Sequence, residues 1–355
     1  MENLTAEFVK HTLTFKTPAT TSRNTLTEKD TYFLIISSKN DPDVVGIGEC
    51  SFIKGLSIEN AEEYEAQLAL LCAKINNEGT ADVDIDFDAF PSIEFGLEMA
   101  IMDLENGGER CYFEDNDFYA GERDIAINGL VWMGSATEMS TQIDNILSKE
   151  FKAIKLKIGA IDFKEEVALI KYIRTKYDST EVEIRLDANG AFTPDEALEK
   201  LKVLAEYDIH SIEQPIAAGN WEAMAQLVKK SPIDIALDEE LIGITSYEDK
   251  EKLLKAIRPE FIIIKPSLLG GFGLSEEWMD IADDLHIGYW ITSALESNIG
   301  LNAIAQWVSD LDQTRPQGLG TGSLYSNNIK SPLIIDSGFL RYDVDRDWDL
   351  DLLDL

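Results

Sequence analysis

Basic residues are scarce: 31 Lys and Arg face 66 Asp and Glu over 355 residues, a formal net charge of −35. Duplex nucleic acid draws its affinity from Lys and Arg that neutralise phosphates, so it is excluded as the expected partner, and anionic membrane surfaces are excluded with it. Cysteine is rarer still. Cys50, Cys72 and Cys111 form an odd, widely spaced set with no C-x-x-C pair. That removes a disulfide scaffold and a zinc or redox motif, and fits a reducing cytoplasm. No eighteen apolar residues run together, and Met1 to Lys10 lacks a basic start followed by an apolar stretch, so the expectation is an unexported protein that does not span a membrane. His11, His210 and His286 are too dispersed for a zinc cluster or a Ser-His-Asp triad. A Gly-x-x-x-x-Gly-Lys loop, a Gly-x-Ser-x-Gly elbow and a His-Glu-x-x-His helix are missing too.

What is present has a globular texture. Apolar residues make up 45% and aromatics 9%, in segments of ordinary strand and helix length, and the chain is long enough for a large domain with a smaller partner. From Leu4 to about Gly108, strand-like runs come first, at Phe8 to Phe15, Thr31 to Ser37 and Val44 to Cys50. Helical stretches follow at Ser57 to Ile75 and Pro91 to Asn106. Strands that precede helices, instead of alternating with them, predict an α+β unit.

From about Asp124 the texture becomes a repeated alternation of a short β-branched run and an amphipathic helix. The runs are Ile125 to Val131, Ala153 to Ile158, Val182 to Asp187, His210 to Glu213, Ile233 to Asp238, Phe261 to Lys265 and Gly288 to Ser293. Among the helices, Thr193-Pro194-Asp195-Glu196 is a capping box with Pro at the first helical position, and Leu198, Leu201 and Ala205 keep helical spacing behind it. Strands that each pass into a helix run parallel, since a crossover helix returns the chain to the same edge. Landmarks at Lys157, Asp187, Glu213, Asp238, Lys265 and Ser293 step by 30, 26, 25, 27 and 28 residues, a regularity that predicts a closed (β/α) barrel over an open sheet. Gly270-Gly271-Phe272-Gly273 lacks dinucleotide spacing and reads as a tight strand-to-helix turn. From about Tyr325, the segment ending in the acidic run Asp343 to Leu355 has no place in that rhythm. It is expected to pack back on the amino-terminal unit or to be partly a solvated tail.

The landmarks carry the chemistry. Asp187, Glu213 and Asp238 each close a strand, and three carboxylates at the carboxyl ends of successive parallel strands converge on the face where barrels place active sites. A single Asp there often caps the next helix. Three together repel one another unless a cation sits among them, and hard oxygen ligands with room for water suit magnesium best. In Lys155-Leu156-Lys157 the period of two puts both ammonium groups on one face, where each depresses the other's pKa and prepares one as a base. Lys265 ends the apolar run Phe261 to Ile264 and would face Lys157 across the barrel. A metal flanked by two lysines suits removal of a proton beside a carboxylate.

These residues resemble the enolase superfamily, over nearly the whole chain. Lys155-Leu156-Lys157 is similar to its K-x-K motif, Asp187, Glu213 and Asp238 to its three metal ligands, and Lys265 to its opposing lysine. Within it, Gly46-Ile47-Gly48-Glu49-Cys50, Gly55-Leu56-Ser57-Ile58-Glu59, Phe95-Gly96-Leu97-Glu98-Met99-Ala100, Arg185-Leu186-Asp187-Ala188-Asn189 and Ser293-Ala294-Leu295-Glu296-Ser297 resemble the o-succinylbenzoate synthase group. The resemblance implies an enolase-like α/β fold: a (β/α)7β TIM-type barrel over 111–324 and an α+β capping domain over 1–110, completed by the tail at about 325–355. It implies Mg2+, with Mn2+ as a substitute, and a small carboxylate as substrate; homo-oligomerisation is left open. The implied reaction is the syn dehydration of 2-succinyl-6-hydroxy-2,4-cyclohexadiene-1-carboxylate in menaquinone biosynthesis.

By the same resemblance Lys157 takes the proton beside the ring carboxylate and returns it to the departing hydroxyl, while Lys265 stabilises the enediolate as a cation. Glu239 is expected to support the lysines, with Asn189 beside it. Arg185, on the strand face of Asp187, would contact substrate or form a salt bridge inside the barrel. Ser293 and the Gly318-Leu319-Gly320-Thr321-Gly322 loop, Gly320 included, could offer donors to the succinyl carboxylate, unless the glycines only make a turn. Capping loops near Thr17 to Asn24 and Ser51 to Leu56 are expected to close over the substrate.

The chief rival reading keeps the fold and lets Lys157 and Lys265 exchange a proton from opposite faces, as in a dipeptide epimerase or an N-acylamino acid racemase. Dipeptide epimerases carry an Asp-x-Asp after the last barrel strand. Here the matching stretch, Gly318-Leu319-Gly320, lacks both acids, although Asp310-Leu311-Asp312 lies nearby. A noncatalytic barrel is the remoter rival, and the intact lysine pair and triad argue against it.

Overall fold

The computed structural model describes residues 2–21, 24–311, 313–353 and 355. Strands β1 (Leu4–Thr20), β2 (Thr25–Ser38) and β3 (Asp41–Cys50) form an antiparallel meander, and helices α1 (Tyr64–Glu78) and α2 (Pro91–Glu105) cover it. Helix α2 lies unusually close to β3. A Cβ on Gly48 would stand 1.8 Å from the Gly96 carbonyl, so only glycine lets strand and helix meet at this distance. β1 and β2 outrun the expected strands because their polar ends still pair, down to Ala19 with Leu26. Helix α1 starts at Tyr64, not Ser57. The Ser57 hydroxyl accepts the Ile53 N–H and Asn60 Oδ1 accepts that of Glu62, local turns that compete with a helix.

Next come β4 (Ile125–Ala126) and then seven strands that hydrogen-bond in parallel, in chain order: β5 (Gly129–Val131), β6 (Ala153–Lys157), β7 (Glu183–Asp187), β8 (Ser211–Glu213), β9 (Asp234–Leu237), β10 (Phe261–Ile264) and β11 (Gly288–Ile291). Helices α3 (Ala136–Leu147), α4 (Phe163–Lys176), α5 (Pro194–Leu204), α6 (Trp221–Lys230) and α7 (Tyr247–Ile257) return the chain between them. The short α8 (Pro266–Leu269) leads into α9 (Gly271–Asp284), and α10 (Asn298–Asp310) follows β11. Six of the expected runs match these strands to within two residues; the run Ile125 to Val131 splits, with Ile125–Ala126 forming β4 outside the barrel sheet and Gly129–Val131 forming β5.

The eighth strand is two residues long. Gly318 N–H donates to Ile291 O at 2.8 Å, while Gln317 N–H donates to Ala126 O at 2.8 Å and its carbonyl accepts Asn128 N–H at 2.9 Å. Those bonds sew β11 to the start of β5 and close a (β/α)7β barrel. Gln-Gly-Leu-Gly carries none of the β-branched residues that mark a strand, which is why no run announces it.

The tail divides. Tyr325 pairs with Phe15, and Ile329 and Leu353 join Phe33, Ile35 and Ile47 in a core shared with the capping sheet. Between them the hairpin β12 (Leu333–Asp336) and β13 (Phe339–Tyr342) turns instead to the barrel and pairs with β4. No helix among the described residues is long and apolar enough to cross a membrane.

Candidate active site

Parallel register decides which side chains share the lumen. Lys157 pairs with Asp187 and Asp187 with Glu213, so one inward row carries charge across β6, β7 and β8, while Lys155 pairs with Arg185 in the row below. Asp238 and Lys265 stand at the ends of β9 and β10. With three strands between β6 and β10 in an eight-stranded barrel, Lys157 and Lys265 occupy opposite walls.

The charges interlock. Asp187 Oδ2 lies 2.9 Å from Lys155 Nζ and 2.5 Å from Lys157 Nζ; Glu213 Oε2 lies 2.5 Å from Lys155 Nζ, and Asp238 Oδ2 2.5 Å from Lys265 Nζ. All six are buried. Burial alone would raise the Asp187 carboxyl, yet the Lys155 and Lys157 ammoniums hold it well below the usual range. Burial lowers Lys157, and its neighbours Lys155 and Lys265 add to the fall against the pull of Asp187. Lys155 and Lys265 go the other way: carboxylates outweigh burial and raise both. Lys157 is thus the lysine of the three whose proton is loosened. Glu213 is pushed up to about 8 by burial and then by Asp187.

Supporting groups surround this core. Lys157 Nζ donates to Asn189 Oδ1 at 3.0 Å, and Asn189 Nδ2 to Glu239 Oε1 at 2.9 Å. Asn189 sits at φ 46° and Gln214 at φ 40°, left-handed positions that a side chain of this size adopts at a cost. Gln214, next to Glu213, accepts the Asp238 N–H at 3.2 Å and donates to Glu240 Oε2 at 3.0 Å. Neither Gln214 nor Glu240 stood out in the sequence; their positions directly after Glu213 and Asp238-Glu239 were the available signal.

A cavity of about 310 Å³ opens over the lumen, and Lys155, Lys157, Asn189, Lys265, Ser293 and Gly320 all line it. Ser293 Oγ reaches Thr321 Oγ1 at 2.7 Å and Gly318 O at 3.2 Å. From the capping unit come Thr21, Asn24, Ile53, Gly55 and Leu56, so both expected loops reach the cavity; Ser22 and Arg23 lie outside the described residues. Arg185 does not line it. Its Nε lies 2.6 Å from Glu183 Oε1, Nη1 donates to Pro316 O at 2.8 Å, and the guanidinium stands 4.3 Å from the Trp290 ring centroid. Two residues before Asp187 on a parallel strand is one layer down the barrel, so of the two expectations for Arg185, substrate contact or a salt bridge inside the barrel, the structure shows the salt bridge. Asp310 ends α10 and accepts Asn116 Nδ2 at 2.6 Å, away from the cavity, while Asp312 lies outside the described residues.

Whether the site suits a divalent metal turns on the carboxylates. As the side chains stand, no three His, Cys, Asp or Glu among the described residues converge to hold one, because each triad carboxylate turns an oxygen onto an ammonium. The donor set nevertheless fits. Three buried carboxylates share neighbouring strand ends, and Glu213 Oε1, fully buried, has no hydrogen-bond partner among the described residues. A hard cation would satisfy that oxygen and relieve the repulsion felt by Glu213.

Comparison with known proteins places the chain in a family. The Enolase C-terminal domain-like family matches residues 138–343. The chain belongs to the enolase superfamily. It is 44% identical to the o-succinylbenzoate synthase of Desulfotalea psychrophila, over 96% of this chain and 99% of that one. The crystal structure of MenC from Desulfotalea psychrophila superposes with a TM-score of 0.84 at 40% identity, covering 96% and 99%. The L-Ala-D/L-Glu epimerase of Bacillus subtilis, at 18% identity and a TM-score of 0.81 over 96% of each chain, shares the superfamily fold.

Proposed function

We propose that this chain is an o-succinylbenzoate synthase, a lyase that removes one water from 2-succinyl-6-hydroxy-2,4-cyclohexadiene-1-carboxylate on the way to menaquinone. The observation that carries the reading is a single cavity with Lys157 and Lys265 on opposite walls above three carboxylates. Lys157 takes the ring proton beside the carboxylate, and the C–H electrons pass into the ring and carboxylate. The Lys157 ammonium then gives a proton to the hydroxyl on the same face, the C–O bond breaks, water leaves and the ring becomes aromatic. Asn189 and Glu239 hold Lys157 in direction, and Lys155 keeps Asp187 and Glu213 in place. Lys265 presents its charge to the other ring face. Asp187, Glu213 and Asp238 would hold Mg2+, or Mn2+ in its place; the bound cation would supply electrophilic stabilisation of negative charge on the substrate carboxylate. Ser293 and Gly320 receive the succinyl carboxylate, and residues 1–110, with the tail of 325–355 apart from its β12–β13 hairpin, cap the barrel of 111–324. Three free cysteines suit a cytoplasmic location.

The test is incubation with the cyclohexadiene carboxylate, with magnesium and then with chelator, read by mass spectrometry. Metal-dependent loss of one water is expected; its absence from a folded, metal-loaded protein would sink the reading. A second reading, racemisation of N-acylamino acids, draws on the same opposed lysines. Deuterium incorporation into an N-acylamino acid that stops in both Lys157→Ala and Lys265→Ala would support it.

A further inference from the structure

Glu296 lies outside the carboxylate triad and is fully buried. It sits on the turn after β11, where Leu295 adopts a left-handed φ of 65° and folds the carboxylate back toward the barrel. Its oxygens reach two different turns. Oε1 accepts the Ser267 hydroxyl at 2.5 Å and Oε2 accepts the Ala294 N–H at 2.6 Å. Ser267 is two residues beyond Lys265 on the short, stiff α8 turn, whose Leu268 N–H donates back to Lys265 O at 2.9 Å. Ala294 directly follows Ser293. The capping unit closes the cluster from outside. Buried Lys29 donates to Ser51 Oγ at 2.5 Å, and Glu49 accepts the Ser297 N–H at 2.8 Å, its hydroxyl at 2.6 Å and the Gly300 N–H at 2.9 Å. Burial pushes the Glu296 carboxyl up to about 7 against the pull of Ser267 and Lys29, so it is held as a hydrogen-bond hub in a largely dry site.

We infer that Glu296 is a positioning residue: by tying the turn after β10 to the turn after β11 under the capping unit, it sets the direction in which Lys265 enters the cavity. Its effect on turnover rests on the proposed role of Lys265. Its effect on the lysine rests on geometry alone.

The test uses Ser267→Ala, which removes one donor, and Glu296→Gln, which keeps an acceptor for Ser267 but loses the one for Ala294. Each full-length variant is labelled briefly with acetic anhydride, and mass spectrometry gives the ratio of acetylation at Lys265 to that at Lys157, with the unfolding midpoint measured alongside. The ratio is expected to rise severalfold in both, and kcat to fall about tenfold with KM little changed, since small misplacements of a reacting group act on the rate. Ser267→Thr, which restores the hydroxyl, should restore both. An unchanged labelling ratio overturns the inference whatever happens to turnover. A shifted ratio in a protein that never dehydrates the substrate keeps the brace and removes the proposed activity.

Discussion

The two ends of the barrel lumen both bury charge, and they bury it differently. On the floor, Arg185 meets Glu183 at 2.6 Å and lies on Trp290, which packs in turn against Phe261 and His210. At the strand carboxyl ends, three lysines and three carboxylates share one small volume, and like charges stand beside one another. Glu213 is pushed up to about 8 and Lys157 is lowered. The floor pair resembles a structural ion pair padded by aromatic rings. The upper cluster leaves Glu213 Oε1 without a hydrogen-bond partner among the described residues, 3.8 Å from Lys265 Nζ, and holds Lys157 with a loosened proton, the arrangement that the proposed proton transfer beside a carboxylate would use.

That contrast can be broken by mutation. Lys157→Ala is expected to lower turnover by about 10⁴-fold, the upper range for loss of a general acid or base, while thermal unfolding in chelator changes little because Lys155 still pairs with Asp187 at 2.9 Å. Arg185→Met should do the reverse in a denaturant titration and lower stability by roughly 2 kcal/mol. The cost stays below that of stranding a fully buried charge because Glu183 keeps 29% of its side chain in solvent.

The pH dependence sharpens the comparison further. A carboxyl raised from 4.5 to about 8 in the fold stabilises below its unfolded value and loses that contribution as pH rises through 8. In chelator the unfolding midpoint should therefore fall between pH 5 and 8, with Glu296, raised to about 7, adding the same sign. Glu213→Gln should flatten the slope and abolish magnesium binding by calorimetry. An equal slope in wild type and variant would show that Glu213 does not carry this pH dependence. The smallest effect is ionic. A dianionic substrate approaches a chain of net charge −35, so kcat/KM should rise a fewfold as salt shortens the Debye length to about 8 Å.

Much of the upper cluster was legible because four of its six residues, Asp187, Glu213, Asp238 and Lys265, stand where a strand's periodicity stops. The same regular spacing announced the barrel. Arg185 shares the inward face of Asp187, and alternation alone cannot tell one layer of a lumen from the next, so its place on the floor needed register. The closing strand Gln317-Gly318 is made by two backbone rungs with no side-chain signature. Gln214, Glu296 and Ser267 act through contacts across different strand ends, which a linear pattern does not display.

The most direct measurement is turnover per folded molecule for Lys157→Ala and Arg185→Met in one magnesium-containing dehydration assay. The first is expected to be folded and inactive, and the second, where it remains folded, to turn over at close to the wild-type rate. An active Lys157→Ala protein, or a folded and inactive Arg185→Met protein, would contradict that expectation.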